Sequence, residues 1–426
     1  MRTLVSFAAL FLSIFLVQLG SGSLGPLDAL AGTMRGFTTG EIGLLGSAHF
    51  AGFFIGCFLA PRFIGAIGHS RCFAAAAAIG ATGALLHPVL EGPLYWAGLR
   101  VLTGIAVAGS YTVVESWLQA KSSNANRGRI YGVFRVIDLG GQITSQGLIA
   151  VLDPATYVAY NIIAVFFIIC LLPLTLTRRM PPKTPAAPRL RIIKAMWLSP
   201  SAVAGIIVAG VTGSAFRMLG PVFGLQNGLD QGQIALFLSA AIVGGVAAQI
   251  PVGWMSDRTD RRNVLILLSV VAIVVCLLSS FAAGPGDAKV MYLIAFFFGA
   301  SAYPIYSVAA AYANDYAEKD FIVELSASLM FFYSIGAIIS PAISAVMIDW
   351  YGPGGLFFFM ALTHLLLIAM TLYRKTRRRA GMRSTPYRYM PRTSMVLARL
   401  LGRSDDTGNA ERAETDTAEP PFRREP

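Results

Sequence analysis

The chain has 426 residues, 55% of them hydrophobic and 13% charged, with a mean hydropathy of +0.63. Soluble globular chains carry about a quarter charged residues, so this composition excludes a soluble multidomain protein and points to helices in a bilayer. The net charge of +12 is no argument for a nucleic-acid partner, because the Lys and Arg residues cluster in short segments between apolar runs, where they act as orientation signals.

A helix spans a bilayer with about 20 apolar residues, and twelve runs qualify. Six lie near 4–24, 41–60, 72–89, 93–118, 129–152 and 155–176. Six more lie near 200–223, 232–254, 263–283, 288–312, 321–348 and 353–373. The first run follows Arg2 as a signal peptide would, but it lacks a small-x-small cleavage site and reads as an uncleaved helix. Gly and Pro fall inside several runs, among them Gly20, Pro26, Gly104, Gly140, Gly141, Pro304 and Pro341. Membrane helices tolerate both.

Placing the N-terminus inside puts Arg62, Arg71, Lys121, Arg127, Arg129, Arg258, Arg261, Arg262 and Lys319 on the cytoplasmic side, and leaves only Arg35 and Lys289 outside. Both termini are therefore expected in the cytoplasm, with the chain in the inner (plasma) membrane. The longest connection, 177–199, is rich in Pro and basic residues and divides the runs six and six. Repeated helix bundles are built on this plan. The expected fold is an all-α membrane protein of twelve transmembrane helices in two six-helix bundles, 1–176 and 200–373, joined by a basic cytoplasmic linker. The tail, 374–426, is polar and charged, and is expected to be disordered from about Ser404.

Between the eighth and ninth runs lies Gly253-Trp254-Met255-Ser256-Asp257-Arg258-Thr259-Asp260-Arg261-Arg262. Five charges between two apolar runs must sit in water or against partners. The stretch resembles the signature loop G-x-x-x-D-R-x-G-R-R of the major facilitator superfamily. An equivalent copy is expected between the second and third runs. There the chain reads Cys57-Phe-Leu-Ala-Pro61-Arg62-Phe-Ile-Gly65, so Pro61 replaces the acid while Arg62 stays. Arg100 and Gly104 resemble that superfamily's Arg-x-x-x-Gly element. Glu115-Ser-Trp117-Leu118 and Ala313-Asn314-Asp315 look like its little-characterised YcaD-like branch. The Gly-Pro-rich helix-5 element of drug–proton antiporters is absent, replaced by Val136-Ile-Asp-Leu-Gly-Gly-Gln142.

Charges within the spans carry the chemistry, since each costs a few kcal/mol unless paired or hydrated. Five stand out: Arg100, Glu115, Arg135, Asp138 and Arg217. For Arg100 the resemblance implies a place in a central cavity or in proton coupling; a structural pair is the plainer reading. Glu115 and Arg135 come to similar depth if runs four and five are antiparallel, and Asp138 shares a helix face with Arg135. Such a cluster suits an inner gate or a proton site, or else a static pair that stabilises the bundle. Arg217 is the lone charge of run seven, suited to an anionic or zwitterionic ligand unless it snorkels to the interface. Gly253, Asp257, Arg258, Arg261 and Arg262 form the expected cytoplasmic gate loop, with Asp315 as their partner across from it. His49 and His364 are the histidines well inside spans, and packing is their usual role.

Cys57, Cys72, Cys170 and Cys276 have no motif spacing, so neither disulfides nor a metal site are expected. A phosphate-binding loop is also missing, which leaves no reason to expect ATP, a cofactor or an enzyme. The resemblance implies a secondary active transporter moving a small solute by alternating access, with proton coupling, acting as a monomer in the lipid bilayer. The rival readings are a uniporter or lipid flippase of the same fold, and a non-transporting membrane sensor or scaffold.

Overall fold

The computed structural model describes residues 7–121, 127–176, 191–281, 287–318 and 321–377. Most of the basic linker and the tail beyond 377 lie outside the described residues, as do Lys319 and Asp320. Among the described residues the regular structure is helical. The first half contains α1 (Ala8–Met34), α2 (Thr39–Ile67), α3 (His69–Leu86), α4 (Pro93–Lys121), α5 (Arg127–Val151), α6 (Tyr157–Ile169) and the short α7 (Leu171–Thr175). A seven-residue helix, α8 (Ile192–Leu198), precedes the second half. That half contains α9 (Pro200–Gln226), α10 (Gln231–Arg258), α11 (Arg261–Phe281), α12 (Ala288–Ala302), α13 (Ile305–Asn314), α14 (Ile322–Tyr351) and α15 (Gly355–Arg377).

Ten segments are long and apolar enough to cross a membrane, counting α6 with α7 and α12 with α13 as one segment each. The runs expected near 72–89 and 129–152 fold as the helices α3 and α5, which are less apolar than those ten. α5 carries Arg135 and Asp138 together with Gln142, Thr144, Ser145 and Gln146. Polar side chains of that kind must face protein or water rather than lipid.

The two halves repeat one packing plan. In the first, α1 packs on α5 and α6, α2 on α4, and α3 on α4 and α6. In the second, α9 packs on α14 and α15, α10 on α12, and α11 on α12 and α15. The repeat reaches local sequence. α2 opens on a capping box in which Thr38 and Glu41 satisfy each other's backbone N–H, and α10 opens on the same device with Asp230 and Gln233. It also reaches the glycines. A Cβ on Gly52 would overlap the Val101 carbonyl, and one on Gly244 the Phe296 carbonyl, so each glycine lets two backbones meet without side chains between them.

The first helix corrects the sequence expectation. Instead of ending near residue 24, α1 continues through Pro26 to Met34 and carries Asp28 into the bundle interior, fully buried. The signature stretch is likewise less of a loop than expected: α10 runs through Arg258 and α11 starts at Arg261, leaving only Thr259 and Asp260 between them.

The bundles meet through α1, α2 and α5 on one side and α9, α10 and α14 on the other. Several close approaches between them lie away from the Arg-rich ends. Gln231, at the start of α10, donates its amide protons to the carbonyls of Ile149 and Leu152 at the end of α5. Gly43 of α2 lies against the backbone of Pro341 in α14, and Gly46 against Met218 of α9.

Candidate functional site

Helix α9 is buried along nearly its whole length, and every residue from Val211 to Gly224 except Arg217 is buried. A single exposed side chain in such a run must open onto a water-accessible space, because an Arg in hydrocarbon carries a large penalty. The Met218–Gly46 contact sets Arg217 beside α2 one turn from His49, and Arg217 lies within electrostatic reach of His49, Arg100 and Tyr111. Among the described residues no carboxylate comes within 4 Å of it.

A polar network occupies the first bundle near this point. The Tyr111 hydroxyl sits 2.5 Å from both Asp138 Oδ1 and Gln18 Oε1. It has one proton to give, so it cannot donate to both at once. Arg135 Nη1 donates to Asp138 Oδ2 at 2.8 Å, and Gln142 Nε2 donates to the same oxygen at 3.3 Å. Arg135 and Asp138, expected to share a helix face, are therefore hydrogen-bonded to each other. Tyr111 and Gln18 join it from α4 and α1, where their sequence gives no sign of a site. Glu115 is buried one turn beyond Tyr111 on α4, where its backbone carbonyl accepts from Tyr131.

Arg100 leads to a second cluster. Its Nε lies 3.5 Å from Asp28 Oδ2, and Tyr160 donates its hydroxyl to Asp28 Oδ1 at 3.1 Å. His87 Nε2 stands 3.4 Å from the same Asp28 Oδ2. The His87 ring stacks on Tyr160 and meets the edge of Trp96. Asp28 and His87 are both fully buried and Arg100 nearly so. Of this set the sequence reading named Arg100 alone. A hydropathy window carried past Pro26 would have found Asp28; His87 closes the third run without any local signal.

The charges of the signature stretch form ion pairs within the second bundle. Arg261 Nη1 donates to Asp315 at 3.0 Å and its Nη2 to Asp257 at 3.4 Å, and the Arg261 side chain is only 2% exposed. Asp315, at the end of α13, is thus the partner that was expected for these arginines. Arg262 forks onto Asp260 at 2.7–3.1 Å. Burial pushes the Asp260 carboxyl up, but hydrogen bonds from the Arg262 side chain and backbone and the Arg262 charge outweigh it and hold it below the usual carboxylate range. Arg258 lies over the Trp254 ring at 4.5 Å, and Gly253 is buried in α10. At the matching place in the first bundle, α3 begins with His69, whose Nε2 meets Ser116 Oγ at 3.0 Å. A neutral contact there takes the place of the Arg–Asp pair.

Comparison with known proteins agrees with this architecture. The family model for the Major Facilitator Superfamily matches residues 10–230 and again 203–403. An uncharacterized MFS-type transporter of Enterobacter sp. (strain 638) is 26% identical over 383 residues, covering 88% of this chain and 96% of that protein. The uncharacterized MFS-type transporter YcaD of Escherichia fergusonii is 25% identical over 336 residues, covering 78% and 86%. Among solved structures, the nucleoside transporter NupG superposes with a TM-score of 0.69 at 15% identity, over 86% of this chain and 97% of that one. A bacterial homolog to the human lysosomal transporter Spinster, in an inward-facing and occupied conformation, superposes with a TM-score of 0.66 at 15% identity, over 89% and 98%. At that identity the two structures speak for the fold alone. With the family model matching both bundles in turn, this multi-pass membrane protein belongs to the Major Facilitator Superfamily.

Proposed function

We propose that the chain is a secondary active transporter, with bundles 1–176 and 200–373, that carries a small anionic or zwitterionic solute across the inner membrane by alternating access, coupled to protons. One observation carries the reading: among the described residues, hydrogen bonds and close backbone approaches join the bundles at one face. Gln231 grips the end of α5 there, and Gly43 meets Pro341. Charge bias makes that face the outer one, so this conformation opens toward the cytoplasm.

Arg217 offers an uncompensated cation to the space between the bundles, which favours a solute with an anionic group. The Tyr111–Asp138–Arg135 network, with Glu115 one turn away, offers carboxylates whose charge depends on their partners. A thermal-shift screen of metabolites on purified protein identifies the solute, since a ligand of the folded state raises its stability. Uptake into proteoliposomes with and without a pH gradient then tests the coupling. Glu115→Gln and Asp138→Asn are expected to retain exchange and lose gradient-driven accumulation. Accumulation intact in both variants would contradict this coupling assignment.

A further inference from the structure

The Asp28–His87 contact contains a constraint on protons. His87 Nδ1 lies 2.6 Å from the Gly83 carbonyl, one turn back along α3. A carbonyl oxygen only accepts, so Nδ1 carries a hydrogen. In a neutral ring the other nitrogen, Nε2, is then a bare lone pair. That lone pair points at Asp28 Oδ2, 3.4 Å away, and neither atom has a hydrogen-bond partner. With Asp28 ionised and His87 neutral, two acceptors face each other where both side chains are fully buried. Leaving buried acceptors opposed is costly, and among the described residues no donor close by relieves it. Tyr160 is committed to Asp28 Oδ1, and Arg100 reaches Oδ2 only at 3.5 Å through Nε, outside hydrogen-bonding geometry.

A single proton between Nε2 and Oδ2 resolves the conflict. We propose that Asp28 and His87 form a proton-binding site in the core of the first bundle, and that filling it releases Arg100 from Asp28. This rests on the proton-coupled transport reading and adds a second proton site to the one around Asp138. The proton enters the pair, no bond between heavy atoms forms or breaks, and the cluster gains one positive charge. The charged and titratable groups facing the pair are few: Arg100 from α4, Tyr160 from α6, and, farther out, Arg35 with its partner Glu91 beside Trp96. With the pair empty, Asp28 neutralises Arg100. With it filled, the Arg100 guanidinium, whose Nη1 is buried and without a hydrogen-bond partner, adds its charge to that of Arg217. Proton and anionic solute would then bind cooperatively, each strengthening the other by the same factor, which is the thermodynamic signature of symport.

The test reads the proton itself. Full-length protein labelled with 15N-histidine is reconstituted in nanodiscs and its ring nitrogens are followed by NMR from pH 5.5 to 8.5; His87→Gln identifies the His87 signals among the four histidines. The expected result is a His87 ring protonated at Nδ1 throughout, with Nε2 protonated or sharing a strong hydrogen bond over part of the range. A second arm follows thermal stability against pH. In His87→Gln and in Asp28→Asn an amide N–H permanently replaces the shared proton, so both variants are expected to lose the pH dependence attributable to the pair while remaining folded. A His87 ring protonated only at Nε2, or one with a free Nε2 at every pH, overturns the proposal. If NMR finds the proton and gradient-driven uptake is absent, the site stands and the coupled-transport reading falls. If uptake is proton-driven and unchanged in Asp28→Asn, the transport reading stands and this site falls.

Discussion

Gln231 of α10 caps a helix of the opposite bundle, and in the proposed transport cycle it latches one face shut. The last carbonyls of any helix lack intrahelical donors, and at the end of α5 those of Ile149 and Leu152 receive theirs from the opposite bundle. Removing the amide with Gln231→Ala deletes two neutral hydrogen bonds, worth about 0.5–1.5 kcal/mol each. Water can serve the same carbonyls in the open state, so we take about 1.5 kcal/mol as the net change, roughly a tenfold shift toward the outward-open form. The chemistry of the replacement sets an order. Gln231→Glu cannot donate and brings a negative charge to a helix C-terminus, so it should open the face further than Ala; Gln231→Lys donates and suits the dipole, so it should stay near wild type. Double electron–electron resonance between labels at Asp153→Cys and Leu236→Cys measures the populations, and the four native cysteines are buried away from the label. Equal distance distributions for Ala, Glu, Lys and wild type would refute the latch.

The remaining predictions concern the frame and the cytoplasmic charges. Gly244→Ala forces a methyl into the Phe296 carbonyl and should cost about 1–3 kcal/mol, whereas Gly140→Ala meets nothing within 4 Å and should gain up to about 1 kcal/mol. A thiol-reactive dye reads both unfolding curves, because the cysteines become reactive as the buried core opens. Asp315→Asn should destabilise more than Asp257→Asn, since Asp315 is 6% exposed against the buried Arg261 while Asp257 is 39% exposed. Equal losses in the same assay would contradict that ranking. Asp260 is depressed in the folded state by Arg262, so its contribution is present above the usual carboxylate value of about 3.9 and lost as pH falls through the folded value. The gap in melting temperature between wild type and Asp260→Asn should therefore hold constant from about pH 5 to 8 and close on further acidification.

What the sequence made legible follows from which interactions are local. Long apolar runs and the asymmetry of Arg and Lys locate helices because the bilayer imposes one length and one sign on every segment. The Arg261–Asp315 pair was foreseeable because a charged stretch beside a span must find a partner and an acidic loop lay two helices on. The Arg135–Asp138 pair was foreseeable from helical spacing. The cluster around Asp28 was not. Its members come from α1, α3, α4 and α6, up to 132 positions apart, and Pro26 made the first run look as if it ended before Asp28. Tyr111 and Gln18 were invisible as network members for the same reason. The first bundle's signature loop is a partial case: Pro61 announced the loss of an acid, but only the fold shows that His69 and Ser116 occupy the place held by Arg261 and Asp315 in the second bundle.

The central proposal is transport driven by a proton gradient through the space between the bundles that Arg217 faces. The most direct measurement is uptake of the solute from the thermal-shift screen into proteoliposomes under an imposed pH gradient, repeated with the gradient collapsed by an ionophore and with Arg217→Gln. Concentrative uptake that disappears with the gradient and fails in Arg217→Gln is the predicted result. Solute flux no greater than in protein-free liposomes, or accumulation indifferent to the gradient, would contradict it.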